Sequence, residues 1–171
     1  MAPVDWGRGA ADALRTTLML GLSLCLATIS AAQVRRDGGG LQGTPEESQT
    51  VLEHARSYFS DLLSARLREL VEQSELPFYL EGRKINTADD LFQEWSRNLT
   101  GKRLELVTLY GIEVLTPAEM ESKYGPPPAR LSSWPWKNAN TYLAVANLSG
   151  RAAVVLFHRS AKGWRAVAYH D

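Results

Sequence analysis

The stretch that most constrains the fold is Thr141–Asp171, TYLAVANLSGRAAVVLFHRSAKGWRAVAYHD. Three apolar runs, Tyr142–Leu148, Ala152–Arg159 and Trp164–His170, are each of strand length and are separated by turn residues. Ser149-Gly150 suits a two-residue hairpin turn, and the polar Ser160–Gly163, ending in glycine, suits a second. Side chains alternate across a strand, so antiparallel pairing sorts them onto two faces. One face collects Tyr142, Ala144, Ala146, Ala153, Val155, Phe157, Trp164, Ala166, Ala168 and His170. The other collects Leu143, Val145, Val154, Leu156, Val167 and Tyr169, with His158, Arg165 and Asp171 at its ends. A sheet apolar on both faces has to be covered on both. The chain's own helices are the expected cover on one side. On the other, a second copy of the chain is expected, making a homodimer through the aliphatic face.

Composition narrows the function classes. Lysine plus arginine and aspartate plus glutamate number 19 each, so the formal charge is zero. A general nucleic-acid binder would carry a basic excess or stripe, so no nucleic-acid partner is expected. The single cysteine, Cys25, excludes an internal disulfide and a cysteine-based metal cluster. Arg8 and Arg15 precede the apolar run Leu18–Ala32, which is shorter than the about 20 residues of a membrane span. With Ser30-Ala31-Ala32 before Gln33, residues 1–32 read as a signal peptide cleaved near Gln33, or as an anchor if uncleaved. The body is therefore expected to be exported, periplasmic or secreted, and to meet a membrane only through an uncleaved segment. Residues 33–43, with Gly38-Gly39-Gly40, read as a flexible linker to a single domain over 44–171.

Within that domain, Thr44-Pro45-Glu46-Glu47 has the form of a capping box. Val51, Leu52, Ala55, Tyr58, Phe59, Leu62 and Leu63 then recur at helical spacing, continued by Leu67, Leu70 and Val71. This is one long helix or two joined near 63–65, with Glu53, Arg56, Asp61, Arg68, Glu69 and Glu72 facing outward. Pro77 is expected to end it, and Phe78–Ile85 to form a short hairpin about Glu81-Gly82. Thr87 starts another helix, with Leu91, Phe92, Trp95 and Leu99 inward and Gly101 at its end. Leu104–Leu115 reads as a long strand bent or bulged at Gly111. Thr116-Pro117-Ala118-Glu119 caps a short helix to about Tyr124. Gly125–Asn140, with three consecutive prolines and Trp134-Pro135-Trp136, is a long irregular loop. Its tryptophans either pin it to the body or bind something.

With that order of elements, the segments SELPFYLEGRKINTADDLFQEW and GRAAVVLFHRSAKGWRAVAYHD and the helical opening resemble the nuclear transport factor 2-like (SnoaL-like) superfamily over about Glu46–Asp171. The resemblance implies an α+β fold. It is a curved, mixed, mostly antiparallel sheet wrapped around N-terminal helices, forming a cone with a pocket, frequently dimerised through the outer face. The superfamily includes isomerases, dehydratases and polyketide cyclases as well as members without known activity.

No catalytic set stands out. His170, on the alanine-rich face, is the candidate base, because an imidazole near its ordinary pKa can move a proton. Tyr142 or Tyr110 is the candidate electrophilic donor. Phe157, Trp164, Tyr110, Trp134 and Trp136 are the candidate ligand-binding aromatics. His158 and His54 read as surface and structural residues. With three histidines on separate elements and no paired spacing, no metal site is expected. No glycine-rich phosphate loop follows a strand, and no cofactor is expected. The favoured reading is a domain that binds a small apolar molecule or a protein partner. The alternative is a cofactor-free isomerase, dehydratase or cyclase working through a pocket acid–base pair.

Overall fold

The computed structural model describes residues 43–136 and 140–171. The expected signal segment and almost all of the expected linker lie outside the described residues. Gly43 is the exception: a Cβ there would meet the Tyr142 hydroxyl at 1.5 Å, so this glycine is seated against the domain rather than linking to it.

Among the described residues, four helices and six strands follow in the order α1 (Pro45–Leu63), α2 (Leu67–Glu72), β1 (Ser74–Leu80), β2 (Arg83–Ile85), α3 (Ala88–Leu99), β3 (Leu109–Leu115), α4 (Pro117–Tyr124), β4 (Thr141–Leu148), β5 (Arg151–Ser160) and β6 (Gly163–His170). The strands form one open sheet in the order β2-β1-β6-β5-β4-β3. Only β1 and β6 pair in parallel, so the sheet is mixed and mostly antiparallel, as expected.

Local chemistry accounts for most boundaries. Thr44 and Thr116 each take a bond from the backbone N–H of a glutamate three residues on, and that glutamate's side chain bonds back, so both capping boxes form. Ala65, at φ 52°, breaks the first helical stretch into α1 and α2. Ser149 (φ 50°) and Gly150 (φ 86°) both take the left-handed conformation that a tight hairpin between twisted strands requires.

Four local expectations are corrected. Helix α2 ends at Glu72, before Pro77, which lies inside β1. Ser74 Oγ donates to the Leu70 carbonyl (2.7 Å), and Ala166 N–H donates to the Gln73 carbonyl (2.9 Å), so the chain is drawn into the sheet first. Leu104–Leu106 is a 3₁₀ turn rather than strand, and the bulge near Gly111 falls between Leu109 and Gly111. Asp61 is buried, 5% exposed, with Arg66 paired to it and Gln73 Nε2 donating to it at 2.5 Å. Two polar partners remove the cost of burying a lone charge. The loop Gly125–Asn140 also contains a short 3₁₀ turn, Ala129–Leu131.

The sheet has an apolar cluster on each face. On the first, α1, α2 and α3 bury Val51, Ala55, Tyr58, Phe59, Leu91 and Trp95 against Tyr142, Ala144, Ala153, Val155 and Phe157. Tyr58 and Trp95 lie fully buried, their rings 6.5 Å apart. On the second, Leu143, Val154, Leu156, Val167 and Ala168 lie beneath Leu131, Trp134, Trp136 and Met120. The cover of the aliphatic face is thus the proline- and tryptophan-rich loop together with α4. Leu143 and Leu156 are inaccessible within one chain.

One register shift rearranges the end of β6. Phe157 pairs with Ala166 and Leu156 with Ala168, leaving Val167 as an extra residue. A one-residue bulge sends all later side chains to the opposite face. Ala168 therefore joins the loop-covered face and Tyr169 the helix-covered face, the reverse of the expected assignment. His170 follows: it pairs with Val154 and shares its face, away from the helices.

Candidate functional site

Across the sheet, the expected base and donor end up apart. His170 Nδ1 lies 2.6 Å from Glu81 Oε2, on the loop-covered face. Glu81 is held there by the β1–β2 turn: its N–H donates to the Tyr169 carbonyl (3.1 Å), and its Oε1 accepts from Asp171 N–H (3.0 Å). Burial, with the Asp171 carboxylate beside it, raises the Glu81 pKa above its ordinary value. Tyr142 is on the helix-covered face, its ring 5.3 Å from Trp164 and its hydroxyl donating to Glu47 Oε2 at 3.4 Å. The two cannot converge on one substrate atom.

The aromatic candidates are likewise dispersed. Phe157 is core, packed edge-on against Tyr58 at 6.1 Å. Trp164 is buried, with the Arg159 guanidinium 5.9 Å above its ring. Trp134 and Trp136 stack on each other at 5.3 Å, and Trp136 Nε1 donates to the Leu131 carbonyl (2.6 Å). These two pin the loop to the sheet. Tyr110, 71% exposed, borders a groove of about 520 Å³ on the outer side of β3–β5, with Glu113, Tyr124 and Val145. That groove is open to solvent, and Glu113 in it is already bonded to Lys123 and Tyr124.

A more enclosed cavity, about 300 Å³, lies on the helix-covered face. Its walls are apolar: Leu62 and Leu63 from the end of α1, Leu99 from the end of α3, Leu104 and Val107 from the following segment, and Leu148 and Ala153 from the sheet. Tyr169 lines it as well, its ring 4.9 Å from that of Trp95. Helix α3 stops at Thr100, and Gly101, at φ 79°, turns the chain into the 3₁₀ turn that overhangs the cavity. The overhang is fastened to the β4–β5 hairpin. Thr108 N–H donates to Ser149 Oγ (2.9 Å) and Ser149 N–H to the Thr108 carbonyl (2.8 Å).

Charged groups gather at the mouth. Lys102 Nζ lies 3.1 Å from Asp171 Oδ2 and 3.0 Å from Asn98 Oδ1. Burial pulls the Asp171 carboxyl up, but the bond and charge of Lys102, with bonds from Glu81 and Tyr169, outweigh it and hold it below its ordinary value. Burial pushes the phenols of Tyr58 and Tyr169 far above theirs. Arg103 pairs with Glu105 (3.0 Å). Arg151 completes the group.

Of these cavity residues, only Ala153 was on the face expected to line a pocket. Arg151 and Leu148 flank the Ser149-Gly150 turn, so their shared face was readable from hairpin register. The approach of Lys102 and Arg103 from 50 residues upstream was not. Among the described residues, no three His, Cys, Asp or Glu side chains converge to hold a metal, and no helix is long and apolar enough to cross a membrane.

No family model matches the chain, and no curated protein does. Two solved structures are similar to it. One is a crystal structure of an NTF2-like protein with a cystatin-like fold from Novosphingobium aromaticivorans, 15% identical, covering 72% of this chain and 79% of that one at a TM-score of 0.43. The other is a domain of unknown function with a cystatin-like fold from Nostoc punctiforme, 9% identical, covering 74% and 76% at a TM-score of 0.44.

Proposed function

We propose that this domain binds a small apolar molecule in the cavity between α1, α3 and the sheet. The observation that carries the reading is the partly enclosed, leucine-lined space of about 300 Å³ bordered by a few polar groups. Ligand sites have that character, and their volumes run from roughly 300 to 1,000 Å³. The export read from residues 18–32 belongs to the same proposal, giving a binding domain that works outside the cytoplasm. An acid–base reaction would need a base and a donor facing one space, but His170 and Tyr142 face opposite sides of the sheet, and Tyr110 stands on β3, with β4 and β5 between it and the β6 of His170.

A thermal-shift series with short-chain apolar probes tests the reading. A ligand at a hundred times its dissociation constant stabilises by about 2.7 kcal/mol, which raises Tm by several degrees. Leu104→Trp, at the half-buried overhang, should plug the mouth and remove the shift while leaving the near-UV circular dichroism native. Absence of any shift, or a shift that survives Leu104→Trp, would sink the proposal.

A further inference from the structure

We infer that the ligand of this cavity is an apolar carboxylic acid whose carboxylate is held at the mouth by the Arg151 guanidinium, with Arg103 beside it. The inference rests on the binding reading above and concerns which chemical class fills the space.

Three cations, Lys102, Arg103 and Arg151, border the cavity with one carboxylate, Asp171. Lys102 is already committed to Asp171 and Asn98. Arg103 has a partner only through Nε, in the exposed pair with Glu105. Arg151 has no hydrogen-bond or ion-pair partner among the described residues. A guanidinium presents a planar fork that matches a carboxylate through two parallel bonds.

Arg151 pairs with Leu148, a member of the helix-side cluster, so both side chains stand on the cavity's side of the sheet. Arg151 also reaches the end of the outer groove, because it is the first residue of β5, just after the Ser149-Gly150 turn. The Leu104→Trp variant separates the two locations, since only the cavity is plugged.

Tyr169 is the polar side chain buried in the lining, and burial together with the nearby Asp171 carboxylate keeps its phenol protonated. Apart from Ser149 at the hairpin turn and the charged groups at the mouth, the rest of the lining is leucine, valine or alanine. A polar group pushed inward would lose its water and find no free partner. The ligand's polar end therefore stays at the mouth, where the unpaired cation is. An ammonium head would meet that cation and be rejected, and a neutral hydroxyl would leave it unpaired.

The volume sets the size. About 300 Å³ is roughly ten water-sized units of about 30 Å³, which suits a chain such as octanoate. Isothermal titration calorimetry with octanoate, 1-octanol and octylamine is the test. Octanoate should bind about tenfold or more tighter than 1-octanol, octylamine should not bind, and octanoate affinity should fall with added salt. Arg151→Gln and Arg151→Ala should each erase most of the octanoate advantage and leave 1-octanol binding unchanged. Leu104→Trp should abolish both. Equal binding of octanoate and 1-octanol, or octanoate binding indifferent to Arg151, overturns the carboxylate inference while leaving the cavity reading intact. Failure of all three probes overturns both.

Discussion

The two faces of the sheet are built from the same strands but covered by different means. One is met by three regular helices that interlock large aromatics, Tyr58, Phe59 and Trp95, with the alanines of β4–β6. The other is met by one short helix and a proline-rich loop held down by two stacked tryptophans. Alanines let helices come close, and the rings fill the space between. The aliphatic face offers a smooth surface that a loop can lie across. The helix-covered face holds the cavity where the ends of α1 and α3 and the segment after α3 meet the sheet. The loop-covered face instead carries the solvent-open groove at Tyr110 and a small recess of about 60 Å³ between α4 and the prolines of the loop.

That contrast can be broken at the core first. Trp95→Ala removes a fully buried ring touching Tyr58, Phe78 and Tyr169 and should cost about 4 kcal/mol in urea denaturation. The next effect comes from pH. Tyr58 and Tyr169 both belong to the helix-covered cluster, and burial raises both pKa values. A phenol raised in the fold contributes stability that is complete below the unfolded value of about 10 and is lost as pH rises toward the folded value. Above pH 10 each should cost about 1.4 kcal/mol per pH unit, roughly 2.7 for the pair. Absorbance at 295 nm should show these two ionising only with unfolding; early, reversible ionisation of all six tyrosines would contradict their burial.

Trp134→Ala should cost about 2 kcal/mol, less than Trp95→Ala because the loop can settle into the vacated space. Hydrogen exchange should quicken over residues 125–136 and stay unchanged in α1 and α3. A cost equal to that of Trp95→Ala would mean the loop is as integral as the helices. Thr116→Ala removes the cap of α4 and should cost about 1 kcal/mol in calorimetric unfolding, since the hydroxyl both accepts from Glu119 N–H and donates to its carboxylate. No loss would show that α4 is held by Met120 packing alone.

Much of the architecture was legible because it is local. The capping boxes at Thr44 and Thr116, the Ser149-Gly150 and Glu81-Gly82 turns and the alternation of β4 and β5 each depend on a few neighbouring residues. The site was largely illegible. Its walls come from Leu62, Leu99, Val107, Leu148 and Tyr169, no two from the same element. Aromatic character pointed instead to Phe157 and Trp164, which the core consumes. Asp61 read as an outward residue because nothing in α1 shows that Arg66 and Gln73 will close over it.

What the residues determined alone is the kind and order of the elements and the need for two covers, because periodicity and turn chemistry act over a few residues. Tertiary structure decided which side Tyr169 and His170 face. A single extra residue, Val167, is absorbed between the pairs of β6 with β5, and strand parity turns on that count. It also decided what covers the aliphatic face, since a loop with no periodicity of its own takes its course from the surface it buries.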